Sequence, residues 1–304
     1  AIATLKLFKL LLDKDSEKTI IKEVIREESQ GELSPTQLDI VSNLPSETGV
    51  YYMHDKDGDI IFLAKTKDIK KRVNQHFTNV GQLARNLQKA TKKVTFERTG
   101  SELIAILKEY QELRKNKPKL NTVTKKKLFS HVLNFSKNGE AHINLDIVKA
   151  RFQKIHNMWF NGVPSAKSFL KKISTEFKLD PNSLGLEVSN GHLQEDSFDE
   201  YTSADNASKF NEILSSVYQK YSLSGKNIAL LDKGRQVGEK SFVLIKNGQL
   251  KGYGYAELNH LINYIPILEY IMTPTPNDEN TTFIIESYLR KNNKIRVLEL
   301  IPTT

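Results

Sequence analysis

The chain has 304 residues, 38% of them apolar and 27% charged, the balance of a soluble globular protein with room for two domains. It contains no cysteine, which excludes disulfides and any Cys-ligated zinc or iron–sulfur centre and makes a cytoplasmic home the simplest expectation. Net charge is +9 and unevenly spread: residues 44–127 carry 19 Lys and Arg against 9 Asp and Glu, while residues 1–43 stand at −2 and residues 128–304 at +1. A localised basic surface suits a polyanion, because each neutralised phosphate releases condensed counterions. A lysine-rich face kept for solubility is the plainer alternative. No apolar run approaches the roughly 20 residues of a membrane-spanning helix, so no membrane partner is expected.

In chain order, AIATLKLFKLLL opens an amphipathic helix with Leu5, Phe8, Leu11 and Leu12 on one face, and has no small-residue cleavage site. A second helical stretch covers residues 19–28, and residues 30–43 read as a linker around Pro35. Val50 to Met53 reads as a strand, residues 54–59 as a hairpin turn, and Ile60 to Ala64 as the returning strand. The period then turns helical, with Ile69, Val73 and Phe77 on one face and Lys70, Lys71 and Arg72 elsewhere. A basic helical connection follows, with Leu83, Leu87 and Ala90 on one side and Arg85, Lys89, Lys92 and Lys93 off it. Val94 to Glu97 reads as a third strand. Thr99-Gly100-Ser101-Glu102 opens a helix striped by Leu103, Ile106, Leu107 and Tyr110, and Lys117 to Asn121 closes the stretch.

These residues resemble a GIY-YIG nuclease domain of the kind found at the N-terminus of the UvrABC excinuclease C subunit. Gly49-Val50-Tyr51 stands for the first signature, and Phe62-Leu63-Ala64 takes the place of the second. The resemblance assigns Arg72 as the catalytic arginine, Glu102 as the metal-binding glutamate and Asn121 as the closing asparagine. Gly49 and Asn121 are thereby structural or closing residues, and the catalytic set becomes Tyr51, Arg72, His76 and Glu102. One Mg²⁺ or Mn²⁺ ion on Glu102, DNA as partner, and repair or replication proteins as further partners are also what the resemblance implies. On this reading Lys65, Lys67, Lys70, Lys71, Arg72, Lys92 and Lys93 contact DNA. The second signature has Phe for Tyr and Ala for Gly, so weakened cleavage is expected.

Each residue also has a plain reading. A glutamate in a first helical turn is favoured there by the helix dipole alone. Arg72 could be an exposed arginine or a bidentate phosphate grip. Phe62 has no hydroxyl, which leaves Tyr51 and His76 as proton acceptors; His76 lies one turn after Arg72 on the same helix face.

After Lys125-Lys126-Lys127, which reads as a solvated flank, the charge turns neutral. Residues 129–135 and 141–148 read as a strand pair around Asn138-Gly139, and residues 150–158, 165–177 and 210–221 as helices. Residues 184–187 continue the excinuclease-like pattern. That family then carries four cysteines, where this chain has none across residues 191–211. Residues 227–232, 241–245 and 250–255 read as strands, residues 258–272 as an apolar stretch interrupted by Pro266, residues 282–289 as a helix and residues 294–301 as a last strand. Asp232 and Glu239 fit two surface acids beside a hairpin better than a metal pair.

The opening Ala1-Ile2-Ala3-Thr4 is similar to the stretch after the last catalytic aspartate in 3′–5′ exonucleases of the DNA polymerase III epsilon type. An upstream exonuclease is therefore expected, against the alternative of an ordinary N-terminal helix. The fold class is α+β: a small three-stranded sheet flanked by helices, a mixed helical segment, then a C-terminal α+β unit. The expected boundaries are 1–43, 44–127, 128–225 and 226–304. The expected function is a DNA-binding nuclease module, with a non-catalytic DNA-binding or protein-interaction platform as the rival.

Overall fold

The computed structural model describes residues 33–121, 128–138, 142–150, 157–186, 204–257, 265–292 and 295–300, together with Leu11 and Lys14. The expectations for the opening helices, for Lys125 to Lys127 and for residues 187–203 lie outside these residues. The chain divides into two compact units, one drawn from residues 1–97 and 116–121, the other from residues 98–115 and 122–304.

The first unit begins with a correction, because part of the expected linker is helix α1, Pro35–Ser42. The Ser34 side chain accepts from the Gln37 backbone, the Gln37 side chain accepts from the Ser34 N–H, and Pro35 occupies the first turn. This reciprocal cap satisfies two otherwise orphaned donors and outweighs the loop-like composition. Strands β1 (Gly49–His54) and β2 (Ile60–Thr66) form the expected antiparallel hairpin, with Gly58 at φ 87° in its turn. Helix α2 (Ile69–Thr78) is capped by the Asp68 side chain, which accepts from the Lys71 N–H at 2.8 Å. Helix α3 (Gln82–Ala90) buries Ala84 and Leu87, while Leu83 is exposed rather than part of the apolar face. Strand β3 (Lys93–Arg98) completes a sheet of order β2-β1-β3. The core gathers Tyr51, Met53 and Phe62 from the hairpin with Ile69, Val73 and Phe77 from α2.

The second unit opens with α4, Glu102–Asn116, which begins where the sequence places it. Strands β4 (His131–Asn138) and β5 (His142–Lys149) pair antiparallel, as expected. Residues 157 and 158, expected at the end of a helix, belong instead to β6 (Asn157–Phe160), which pairs with the other edge of β4. Met158 fills the core there beside Leu133, so packing overrides local helical spacing. Helices α5 (Val163–Phe177) and α6 (Ala204–Tyr221) cover this small sheet through Phe169, Leu170, Leu214 and Val217.

The C-terminal sheet takes β7 (Ile228–Lys233), β8 (Glu239–Lys246) and β9 (Gln249–Glu257) from consecutive hairpins. Helix α7 (Ile265–Ile271) carries Pro266, and residues 258–264 of the expected apolar stretch lie outside the described residues. The short β10 (Thr273–Pro274), α8 (Glu279–Lys291) and β11 (Arg296–Glu299) follow, giving the order β10-β9-β8-β7-β11. Leu103, Ile104 and Leu107 of α4 are buried in one core with Leu223, Ile228, Leu230, Val243 and Ile285.

Candidate functional site

Register places the first-unit residues. Tyr51 lies opposite Ala64 and Met53 opposite Phe62, so all four project from the same face of the hairpin. Gly49 is needed for a close approach: a Cβ there would stand 2.1 Å from the Glu97 carbonyl oxygen. The Tyr51 hydroxyl is 2.7 Å from His76 Nε2, inside the core. Tyr51 has no exposure and His76 only 7%. The Phe62 ring meets His76 edge-on at 5.2 Å and Tyr51 at 6.3 Å, so the second-signature position packs against both members of the pair.

Burial, helped by the positive charge of Arg72, pulls the His76 pKa down to about 4. The imidazole is therefore neutral at pH 7, with one nitrogen available to the Tyr51 hydroxyl. Arg72 itself is exposed, its Nη1 donating to Gln75 Oε1 at 3.2 Å. Gln88, which no sequence pattern singles out, fixes the end of α2: its Nε2 donates to the carbonyls of Phe77 at 2.9 Å and Asn79 at 3.1 Å. Its place on the basic connecting helix is the one hint the sequence offers. Asn121 pairs with the Leu63 backbone in both directions, Oδ1 accepting at 3.0 Å and Nδ2 donating at 2.8 Å. It replaces a neighbouring strand along that part of β2.

Lys67, Lys71, Lys92 and Lys93 are exposed, Lys65 and Lys70 partly so. Lys70 Nζ donates to the Ser42 carbonyl at the end of α1.

Glu102 belongs to the second unit, at the first position of α4 and partly buried. Among the described residues no cluster of three or more His, Asp or Glu is arranged to hold a metal. A Mg²⁺ ion that keeps most of its waters needs only one or two carboxylates, so the oxygen donor of Glu102 has suitable chemistry. Asp232 and Glu239 do not act as a pair. Arg235 grips Glu239 with its backbone N–H, Nε and Nη2, and holds its carboxyl below the usual range. Asp232 instead accepts from the Ser101 hydroxyl.

The family model for the UvrC-like GIY-YIG domain matches residues 47–122. Residues 47–122 are thus similar to the UvrC-like GIY-YIG domain. UvrABC system protein C of Lachnospira eligens is 39% identical over 88 residues, 28% of this chain and 14% of that protein. The protein of the same name from Clostridium beijerinckii is 30% identical over 141 residues, 45% of this chain and 22% of its own length. The chain thus spans less than a quarter of either relative. Among solved structures, the GIY-YIG N-terminal endonuclease domain of UvrC from Thermotoga maritima, bound to its catalytic divalent cation magnesium, is 20% identical. That comparison covers 30% of this chain and 100% of the other, with a TM-score of 0.28. The boundary between the two compact units falls inside the matched residues 47–122, since residues 98–115 group with residues 122–304. No helix among the described residues is long and apolar enough to cross a membrane.

Proposed function

We propose that residues 47–122 act on DNA as a metal-dependent phosphodiesterase domain of the GIY-YIG type, with weakened cleavage. The supporting observation is the match of residues 47–122 to the UvrC-like GIY-YIG family model, with the two signature strands in register on one face. Phosphodiester hydrolysis needs charge neutralisation at the phosphate, an aligned water and an acceptor for its proton. Glu102 would hold a Mg²⁺ or Mn²⁺ ion, which supplies charge neutralisation when bound. Arg72 offers a guanidinium that can grip a phosphate in two places. Tyr51 would take the water's proton while passing its own hydroxyl proton to Nε2 of the neutral His76, so that the pair as a whole is the acceptor. With a pKa near 4, His76 holds that proton only weakly, in keeping with weakened cleavage. Lys65, Lys67, Lys70, Lys71, Lys92 and Lys93 are assigned to phosphate contacts along the DNA.

A second reading is a non-catalytic platform for DNA or protein, serving the 3′–5′ exonuclease expected upstream. It is favoured by Phe62, which has no hydroxyl, and by the burial of Tyr51 and His76 against each other. Nicking of supercoiled duplex by the full chain decides between the two. On the first reading, slow Mg²⁺-dependent nicking is lost in Glu102→Ala while DNA binding remains. Binding should fall with a log–log salt slope of about −0.9 per phosphate neutralised, and shallower in Lys67→Ala with Lys71→Ala. Binding without any nicking at saturating metal leaves the platform.

A further inference from the structure

The helix that begins with Glu102 does not start from a free end. The three residues before it are each held by the C-terminal strands. The Thr99 carbonyl accepts from the Tyr255 hydroxyl at 3.2 Å. Gly100, at φ 64°, lies so close to the turn after β7 that a Cβ would stand 2.1 Å from the Gly234 carbonyl oxygen. Ser101 Oγ, buried, donates to Asp232 Oδ2 at 2.8 Å, across 131 residues of sequence. The other carboxylate oxygen of Asp232 accepts from the Lys233 N–H at 2.8 Å, which keeps the group from turning away. One turn into α4, Leu103, Ile104 and Leu107 are locked into the core of the same sheet. Helix ends ordinarily fray, and a ligating side chain on a frayed turn must be ordered, at an entropic cost, each time it binds.

We propose that Asp232, acting through Ser101, positions Glu102 as the metal-binding carboxylate, so that the C-terminal sheet is a working part of the metal site at Glu102. This rests on the reading that Glu102 holds the ion. Asp232 accepts from Ser101 through one carboxylate oxygen and from Lys233 through the other, which ties it to the residue before Glu102 and assigns it a positioning part. Asp232 and Glu102 also both act on the Tyr288 phenol, whose pKa is pushed up to about 12 by burial first and then by these two charges. The two acids therefore share one neighbourhood of the second unit. Supports of this kind commonly matter about 10–100-fold in metal affinity.

The test is Mn²⁺ binding to the full chain by calorimetry, with the melting temperature of each variant measured alongside. Ser101→Ala and Asp232→Ala should weaken Mn²⁺ affinity by about tenfold. Asp232→Asn, which keeps an acceptor for the Ser101 hydroxyl, should return it close to the unmodified value. Glu102→Ala should abolish binding. A purely structural role would lower the melting temperature of Asp232→Ala and leave the affinity of the folded protein intact, which overturns the proposal. If Asp232→Ala does not fold, Ser101→Ala, lacking only a hydroxyl, decides in its place by the same comparison. Unchanged Mn²⁺ affinity in Glu102→Ala would overturn the ligand reading itself, an outcome distinct from failure of the Asp232 variants alone.

Discussion

The Tyr51 hydroxyl and His76 Nε2 stand 2.7 Å apart in the core of the first unit, bridging a strand and a helix 25 residues on. Each satisfies a polar group that the apolar surroundings would otherwise leave bare. Tyr51→Phe keeps the shape and removes one partner, so His76 Nε2 becomes a buried group without its bond. A loss of about 1–3 kcal/mol is expected, read from the urea midpoint at pH 7.5. No change would mean that water reaches the imidazole.

The same pair makes stability depend on pH. His76 titrates near 4 in the folded protein against about 6.5 when unfolded, so between these values the unfolded chain binds the extra proton. Stability from this group is complete above about 6.5 and is lost as pH falls toward 4. Glu286, whose pKa burial raises, works in the opposite sense, so the comparison must isolate His76. In His76→Gln the decline in urea midpoint from pH 7 to pH 5 should flatten. An unaltered decline would assign it to other groups.

Phe62 separates enzyme from platform. Phe62→Tyr with Ala64→Gly restores a hydroxyl and removes a methyl on the face that carries Tyr51. A missing general base or its orienter is commonly worth about 10²–10⁴ in rate, so part of that range should return as faster Mg²⁺-dependent nicking at unchanged DNA affinity. Inertness of this double variant with metal and DNA bound would favour the platform. Brisk cleavage by the unmodified chain that survives Tyr51→Phe with His76→Ala would remove both residues from the chemistry.

In the second unit, Arg290 is buried with its Nη2 donating to the Trp159 carbonyl at 2.6 Å and its guanidinium over the Phe160 ring at 4.5 Å. Its Nη1 lies 3.9 Å from Glu286 Oε2, and Glu286 in turn accepts from the Leu223 N–H. Arg290→Ala leaves that carboxylate buried without its cation. We expect a cost of about 3–5 kcal/mol by equilibrium unfolding. Arg290→Ala with Glu286→Gln should recover part of it, and equal losses in the single and double variants would deny the coupling.

Much of the first unit is written in local chemistry. The β1–β2 hairpin follows from alternation around a polar, glycine-containing turn, α2 from the spacing of Ile69, Val73 and Phe77, and the start of α4 from the residues before Glu102. Helix α1 is also legible, since Ser34-Pro35-Thr36-Gln37 spells its own cap, but linker-like composition hides it. The GIY-YIG resemblance is carried by residues close together in sequence. Sequence spacing could not reveal that Phe62 packs on His76, that burial holds His76 neutral, or that β6 takes Met158 from an expected helix. Nor could it reveal that α4 belongs with the C-terminal sheet through Ser101 and Asp232. Periodicity records which face of an element is apolar; it does not record what that face will meet. Hydrogen bonds across 25 or 131 residues, and the desolvation that shifts a pKa, exist only once distant segments have excluded water together.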